Sequence, residues 1–134
     1  MINGTRKDRN FITYIPVETK EVVIAYIKGA VYCWCKNFTF DNGAGSKPFA
    51  VRDLFGGTNT LWYDTPLQKI YESRFEKNPE TAYSEAGKDL GKLLYETLFN
   101  DKRRIYEESK DEMVNIYRWT GEEIPENQVA GQQG

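Results

Sequence analysis

The chain has 134 residues, of which 40% are hydrophobic and 28% are charged, and its formal net charge is −2. This length suits one domain with a single core, and the nearly balanced charge excludes the strongly basic domain that is typical of nucleic-acid binding. The sequence contains no histidine, which excludes histidine-based catalytic triads and histidine metal ligands. We expect a cytoplasmic protein, because no stretch has the pattern of a signal peptide or of a membrane-spanning segment.

Both ends of the chain are polar and charged. Residues 1–10 form a basic start and residues 122–134 form an acidic tail, and short charged termini of this kind are usually disordered. We therefore predict disorder in these two segments and a single globular helical domain over residues 11–121.

Residues 18–37 are ambiguous between one helix and a hairpin. Their richness in Val, Ile, Tyr and Trp favours strands, but Lys28-Gly29 is not a favoured two-residue turn. As a helix, the segment places Val23 and Ile27 on one face. We favour the helix.

Cys33 and Cys35 lie within the same segment, and the sequence contains no other cysteine. Side chains two apart on a helix point in different directions, so the two sulfurs cannot easily share a metal or a disulfide. We interpret them as buried, inert thiols, and no metal or cofactor is expected.

Residues 38–48 are rich in turn-forming residues and predict a loop. A short helix is expected over residues 49–55. Gly56-Gly57 would end this helix, because glycine enters the left-handed region freely.

Two capping patterns predict the next two helices. Thr65 is a good N-cap, Pro66 fits the first helical position, and Gln68 can complete a capping box. Asn78-Pro79 repeats the pattern of a cap followed by a proline and predicts a second, longer helix.

The longer helix carries leucine and alanine residues at helical spacing on one face. Gly87 and Gly91 lie four residues apart on an adjoining strip. Because glycine lowers helix stability, we interpret the two glycines as positions where another element approaches closely. Asp89 and Glu96 are interpreted as part of a solvated helix face.

Residues 102–119 are predicted as a last helix, in which Lys102-Arg103-Arg104 would be neutralised by acidic residues one turn later. The expected fold is therefore mainly α, a single domain of four or five helices. The alternative is an α+β fold with a small sheet that uses residues 11–15 and 116–120.

Five residues are not explained by local structure and are the candidate binding site: Arg52, Asp53, Asn59, Trp62 and Asp64. Arginine binds carboxylate and phosphate groups well, and tryptophan is a common anchor of protein interfaces. The competing structural interpretation is an Arg52–Asp53 ion pair, a core position for Trp62, and a turn closed by Asn59 or Asp64.

The leading hypothesis is a non-enzymatic binding or interaction module that acts through the surface of residues 52–64. A protein partner or a second copy of the chain is favoured over a small molecule, and no membrane is expected as a partner. The alternative is a small-molecule pocket, possibly of an enzyme, lined by Arg52 with Trp34, Trp62 and Tyr63, in which Asp53 or Asp64 acts as acid or base. Nucleic-acid binding would need a basic face that joins Arg52 to Arg103 and Arg104, and the net charge disfavours it.

Overall fold

A computed structural model of the chain describes residues 1–3, 12–56 and 61–125. The elements of this part are, in chain order, β1 (Ile2–Asn3), α1 (Val17–Asn37), α2 (Val51–Phe55), α3 (Gln68–Lys77), α4 (Ala82–Phe99), β2 (Arg104–Asp111) and β3 (Val114–Glu123). The described fold is mixed and mostly helical with one small sheet, which corresponds to the α+β alternative.

Helix α4 lies at the centre of the core. Leu90, Leu94 and Leu98 are buried along it, together with most residues of its last three turns. Helix α1 packs on α4 through an apolar stripe that repeats every four residues, which is the spacing of one helix face: Val23, Ile27, Val31 and Cys35. Residues 18–37 are thus a helix, as predicted, and not a hairpin.

The predicted helix over residues 102–119 is wrong, because this segment forms the antiparallel hairpin of β2 and β3. Tyr106 is 0% exposed and Tyr117 is 1% exposed, so the hairpin is held to the core by two tyrosine rings. Glu112 adopts a positive φ of 55° in the tight turn between the strands.

The small sheet has the strand order β1-β2-β3, with β1 parallel to β2. Of the two segments in the α+β alternative, residues 116–120 lie in β3. Residues 12–15 form no strand, although Ile12 and Ile15 are buried in the core. Instead, Ile2–Asn3 forms the third strand of the sheet. The backbone N–H of Tyr106 donates to the Met1 carbonyl at 2.8 Å and helps to join this strand to β2.

The predicted disorder of the chain ends stays a prediction, because residues 4–11 and 126–134 lie outside the described residues. Parts of the two segments predicted to be disordered do lie in strands, because Ile2–Asn3 forms β1 and strand β3 ends at Glu123. The amino group of Met1 donates hydrogen bonds to the carbonyls of Leu98 and Asp101 at 2.8 and 2.7 Å.

The loop over residues 38–48 is present as predicted and lies against β3. Ser46 is fully buried, and its N–H donates to the carbonyl of Trp119 at 2.9 Å while its Oγ accepts from the N–H of Trp119 at 3.1 Å. Gly45 has a φ of 95°, and a Cβ at this position would collide with the carbonyl oxygen of Trp119. The glycine therefore allows the loop backbone to approach the strand closely.

The two capping patterns mark α3 and α4, although both helices begin two or three residues later than the caps suggest. Thr65 Oγ1 accepts a hydrogen bond from Leu67 N–H at 3.2 Å, and Asn78 Oδ1 accepts one from Glu80 N–H at 3.1 Å. The interpretation of Gly91 is wrong, because a Cβ added there would meet no atom within 4 Å.

Two acidic residues of α4 are buried, so their interpretation as a solvated face is wrong. Asp89 is 0% exposed and pairs with Arg74 of α3. Glu96 is 6% exposed and pairs with Lys20 of α1, with Nζ and Oε1 2.9 Å apart. Each ion pair joins α4 to a neighbouring helix.

Candidate functional site

The candidate residues around α2 are placed in different environments. Arg52, Asp53 and Asp64 are exposed, whereas Trp62 is 4% exposed and belongs to the core. Asn59 lies outside the described residues. The binding role of these residues stays a prediction. Trp62 occupies the core position that the competing structural interpretation gave it, so its ring is not exposed for contact with a protein partner.

The structure gives Asp53 and Asp64 local structural roles. Asp53 Oδ2 accepts a hydrogen bond from the N–H of Ala50 at 2.7 Å and so caps the start of α2. Asp64 has a positive φ of 65° in the turn before α3. No ion pair joins Arg52 to Asp53 in the part of the chain that the structure describes.

Arg52 and Trp62 line one cavity of about 320 Å³ between α2, α4 and the tip of the hairpin. Its walls also include Gly91, whose missing side chain leaves room there. Among its described lining residues there is no carboxylate, so Asp53 and Asp64 are not placed to act as acid or base. Trp34 lies elsewhere and donates from Nε1 to the carbonyl of Lys47 at 2.9 Å.

A larger cavity of about 500 Å³ lies between α1, the end of α4 and the start of β2. We call it the basic cleft, because its described lining includes four cationic side chains and one carboxylate: Lys28, Lys102, Arg103, Arg104 and Asp101. This excess of positive charge in a concave site attracts anions.

Arg104 is the central cation of the basic cleft. Its guanidinium carbon lies 5.5 Å from the ring centroid of Tyr32 and 5.7 Å from that of Trp119, which are cation–π distances. Its Nε is buried without a hydrogen-bond acceptor. Among the described residues no carboxylate lies within salt-bridge distance of this guanidinium.

The predicted neutralisation of the basic run by acids one turn later is wrong, because the run leads into a strand. Glu107 instead pairs across the hairpin with Arg118, with an N···O distance of 3.1 Å. Arg103 has a longer, exposed contact of 3.7 Å with Glu123. Among the described residues, the charge of Arg104 is therefore not neutralised by an ion pair.

Asp101 shapes the turn that carries these cations. Its Oδ1 accepts hydrogen bonds from the N–H groups of Arg103 and Arg104 at 2.8 and 2.9 Å, and its Oδ2 accepts one from the Tyr106 hydroxyl at 2.7 Å. Burial alone would raise the pKa of Asp101, but these hydrogen bonds, with the Met1 amino group, outweigh it and hold the pKa below its usual range. The carboxylate is thus a charged structural acceptor.

Two hydroxyl groups in the basic cleft are already engaged. Thr97 donates to the carbonyl of Leu93 at 2.7 Å within α4, and Tyr106 donates to Asp101. Burial is the main cause that raises the pKa of Tyr106, followed by the nearby charge of Asp101. Neither of these two hydroxyls is therefore prepared as a nucleophile or a proton donor.

The sequence shows the run Lys102-Arg103-Arg104 but gives no sign that Lys28 lies beside it. Arg52 lines the other cavity, so the described residues do not assemble the basic face that nucleic-acid binding would require from Arg52, Arg103 and Arg104. The sequence feature that could have indicated the cleft is the presence of three consecutive cationic residues in this run.

Comparison with protein-family models, curated proteins and solved structures finds no match for this chain. Among the described helices, none combines the length and apolar character needed to cross a membrane.

Proposed function

We propose that the protein is a non-enzymatic binding protein whose ligand is a small molecule with a phosphate or carboxylate group, held in the basic cleft. The observation that carries this proposal is Arg104, whose guanidinium lies within cation–π distance of two aromatic rings and has no carboxylate partner among the described residues. Arginine presents a planar set of donors that matches two oxygens of such a group.

The size of the basic cleft supports a small-molecule ligand. Its volume of about 500 Å³ falls in the range of about 300–1,000 Å³ that is common for ligand pockets. Lys28 of α1 and Lys102 of the turn before β2 also line it and add positive charge. We place the protein in the cytoplasm as part of the proposal, because both cysteines are free thiols.

A protein partner at the turn before α3 is the second candidate function. Leu61 is 72% exposed and Tyr63 is 62% exposed, so this turn presents two apolar groups to solvent. Replacing both by Ser should remove binding of such a partner without lowering the melting temperature. Since the core position of Trp62 removes the predicted anchor, we rank this candidate below the basic cleft.

The proposal is tested by measuring ligand binding calorimetrically and by thermal shift with inorganic phosphate, pyrophosphate and citrate as probes. Pyrophosphate or citrate should raise the melting temperature of the wild-type chain. The rise should grow with ligand concentration, because a ligand that binds only the folded state stabilises it by mass action. The effect should weaken with added salt, because exposed charges are screened.

Arg104→Met and Lys102→Ala test the site, and Arg52→Met is the matched control. Methionine keeps the apolar stem between the two rings and removes the charge. We expect Arg104→Met to abolish the ligand-induced shift and Lys102→Ala to reduce it, whereas Arg52→Met, in the other cavity, keeps it. Equal shifts in all four proteins, or no binding of any probe, would refute the proposal.

A further inference from the structure

The outward side of α1 carries an apolar stripe along its middle, flanked by the exposed charged residues Glu21 and Lys28. Val22 is 56% exposed and Tyr32 is 50% exposed, and Ala25, Gly29 and Cys33 are exposed between them. We call these five residues the outer face of α1. They recur at intervals of three and four residues, so they form one continuous stripe.

The inward side of α1 is apolar as well, since Val23, Ile27 and Val31 are buried against the core. A helix with apolar stripes on two sides has more apolar surface than a single contact with the core can bury. A contiguous apolar stripe left in solvent is typical of an interaction surface. We therefore expect a partner on the outer face.

Two opposite charges stand at the ends of this stripe. Glu18 and Lys36 are exposed and are eighteen residues apart, which equals about five full helical turns, so they lie on the same line along the helix. Neither has an ion-pair partner among the described residues. The face therefore has an acidic end, an apolar middle and a basic end.

We propose that the occupant of the outer face is the same face of a second copy, packed antiparallel about a twofold axis near residue 27. This arrangement places Glu18 opposite Lys36 of the second copy, twice per dimer. It also sets Ala25 opposite Gly29, so the smallest side chains lie where the two helices cross. Isologous pairing of one patch with itself is the rule for twofold dimers.

The charge pattern selects this arrangement over a parallel one. Parallel pairing would bring Glu18 next to Glu18 and Lys36 next to Lys36, and like charges at an interface are unfavourable. Glycine and alanine at the crossing allow the helix axes to approach closely, as small residues do between packed helices. The inference does not rest on the proposed anion site, although Tyr32 belongs to both the outer face and the lining of the basic cleft.

One helix face per copy buries less than the ~800 Å² per partner of a standard interface. We therefore expect a dimer that dissociates at roughly micromolar concentrations. Sedimentation velocity over about 1 to 500 µM protein should show concentration-dependent association of the wild-type chain.

A charge-swap series tests the predicted contacts. Glu18→Lys and Lys36→Glu should each weaken association by about tenfold, because each turns two attractive pairs into two repulsive ones. The double variant E18K/K36E should restore wild-type association. A parallel pairing has two like-charge pairs in wild type and in every variant, so loss in the single variants followed by recovery in the double variant indicates the antiparallel arrangement. Ala25→Glu should yield a monomer, because it places charge at the crossing point.

Matched controls carry the same charge changes elsewhere on the surface. Glu80→Lys and Lys92→Glu alter exposed residues outside α1 and should leave association unchanged. A wild-type chain that is monomeric at every concentration overturns the proposal, whether another part of the chain or a different protein then covers the face. A dimer that Ala25→Glu does not disturb also overturns it.

Cysteine cross-linking provides a second measurement. In the antiparallel dimer the two Cys33 residues lie about 18 Å apart along the helix axes, too far for a disulfide. Mild oxidation should therefore give no dimer through Cys33. In a Cys33→Ser background, a chain with Glu18→Cys should cross-link to a chain with Lys36→Cys and not to itself. Rapid formation of a Cys33–Cys33 disulfide would refute the antiparallel arrangement.

Discussion

Arg74 and Asp89 form a two-pronged ion pair across the interface of α3 and α4. Arg74 Nε lies 2.6 Å from Asp89 Oδ2, and Arg74 Nη2 lies 2.9 Å from Asp89 Oδ1. The Tyr14 hydroxyl donates to the same carboxylate, and the guanidinium carbon of Arg74 lies 4.8 Å from the centroid of the Tyr14 ring. One buried carboxylate thus joins α4 to α3 and to the segment before α1.

Removing the arginine of this pair should be strongly destabilising. Arg74→Met leaves the fully buried Asp89 without its cation, and breaking a buried pair in this way costs about 3–5 kcal/mol. Urea unfolding of the variant should show the loss as a lower midpoint with an unchanged slope.

The double variant R74M/D89L provides the control for this prediction. It removes both charges, and replacing a buried pair with apolar residues is often neutral, so it should regain most of the lost stability. Lys69→Met breaks an exposed pair, with an N···O distance of 3.5 Å to Glu72, and should cost less than about 1 kcal/mol. A double variant no more stable than Arg74→Met would contradict the argument.

The helices could be predicted from the sequence because their signals are local. Val23, Ile27 and Val31 repeat at the period of a helix face, and Asn78 caps the turn that leads into α4. Neither signal requires knowledge of the rest of the fold, since spacing and capping act within a few residues.

The hairpin could not be predicted in the same way. Its two-residue turn is Glu112-Met113, with a positive φ at Glu112, whereas the sequence signal for such a turn is Asn-Gly or Asp-Gly. Only Tyr106 of β2 and Tyr117 of β3 are fully buried. The two strands therefore show little of the alternation between buried and exposed residues that marks a strand in a sequence. Tertiary packing of the two rings decides the structure here.

The basic cleft and the buried ions depend on contacts between distant parts of the chain. Lys28 and Arg104 line the same cleft because α1 packs beside α4. Asp89 is buried as an ion because Arg74 pairs with it. Since no spacing rule relates such residues, the sequence predicts a candidate site at α2 and does not reveal the cleft.

The close approach of the loop to β3 predicts that Gly45 cannot be replaced. Gly45→Ala combines a φ of 95° with a collision against the Trp119 carbonyl, so we expect a loss of about 2–4 kcal/mol. Gly43→Ala is the matched control, because Gly43 has a φ of 75° but no atom within 4 Å of an added Cβ. It should cost only the conformational strain of about 1–2 kcal/mol. Equal losses of unfolding free energy in Gly45→Ala and Gly43→Ala would show that the loop shifts to avoid the collision.

The acid sensitivity of the fold should depend on Asp101. Because its pKa in the folded chain lies below its ordinary value of 3.8, its contribution to stability is complete above that value and is lost as the pH falls through the folded pKa. The difference in unfolding free energy between wild type and Asp101→Asn should therefore be largest at neutral pH. It should shrink as the pH is lowered below about 4. A difference that stays constant down to pH 2 would show that the carboxylate charge plays no part.

The two thiols should differ sharply in reactivity. The interpretation of both cysteines as buried thiols is wrong for Cys33, which is exposed, whereas Cys35 is buried. Burial is the main cause that raises the pKa of Cys35 to about 11. At pH 8 only about a thousandth of the Cys35 thiol would be ionised, and the thiolate is the reactive form. In dilute native protein, a thiol reagent such as dithionitrobenzoate should therefore modify one cysteine quickly and the second only after denaturant is added. Cys33→Ser should remove the fast phase, and a fast phase that survives this substitution would place the accessible thiol at Cys35 instead.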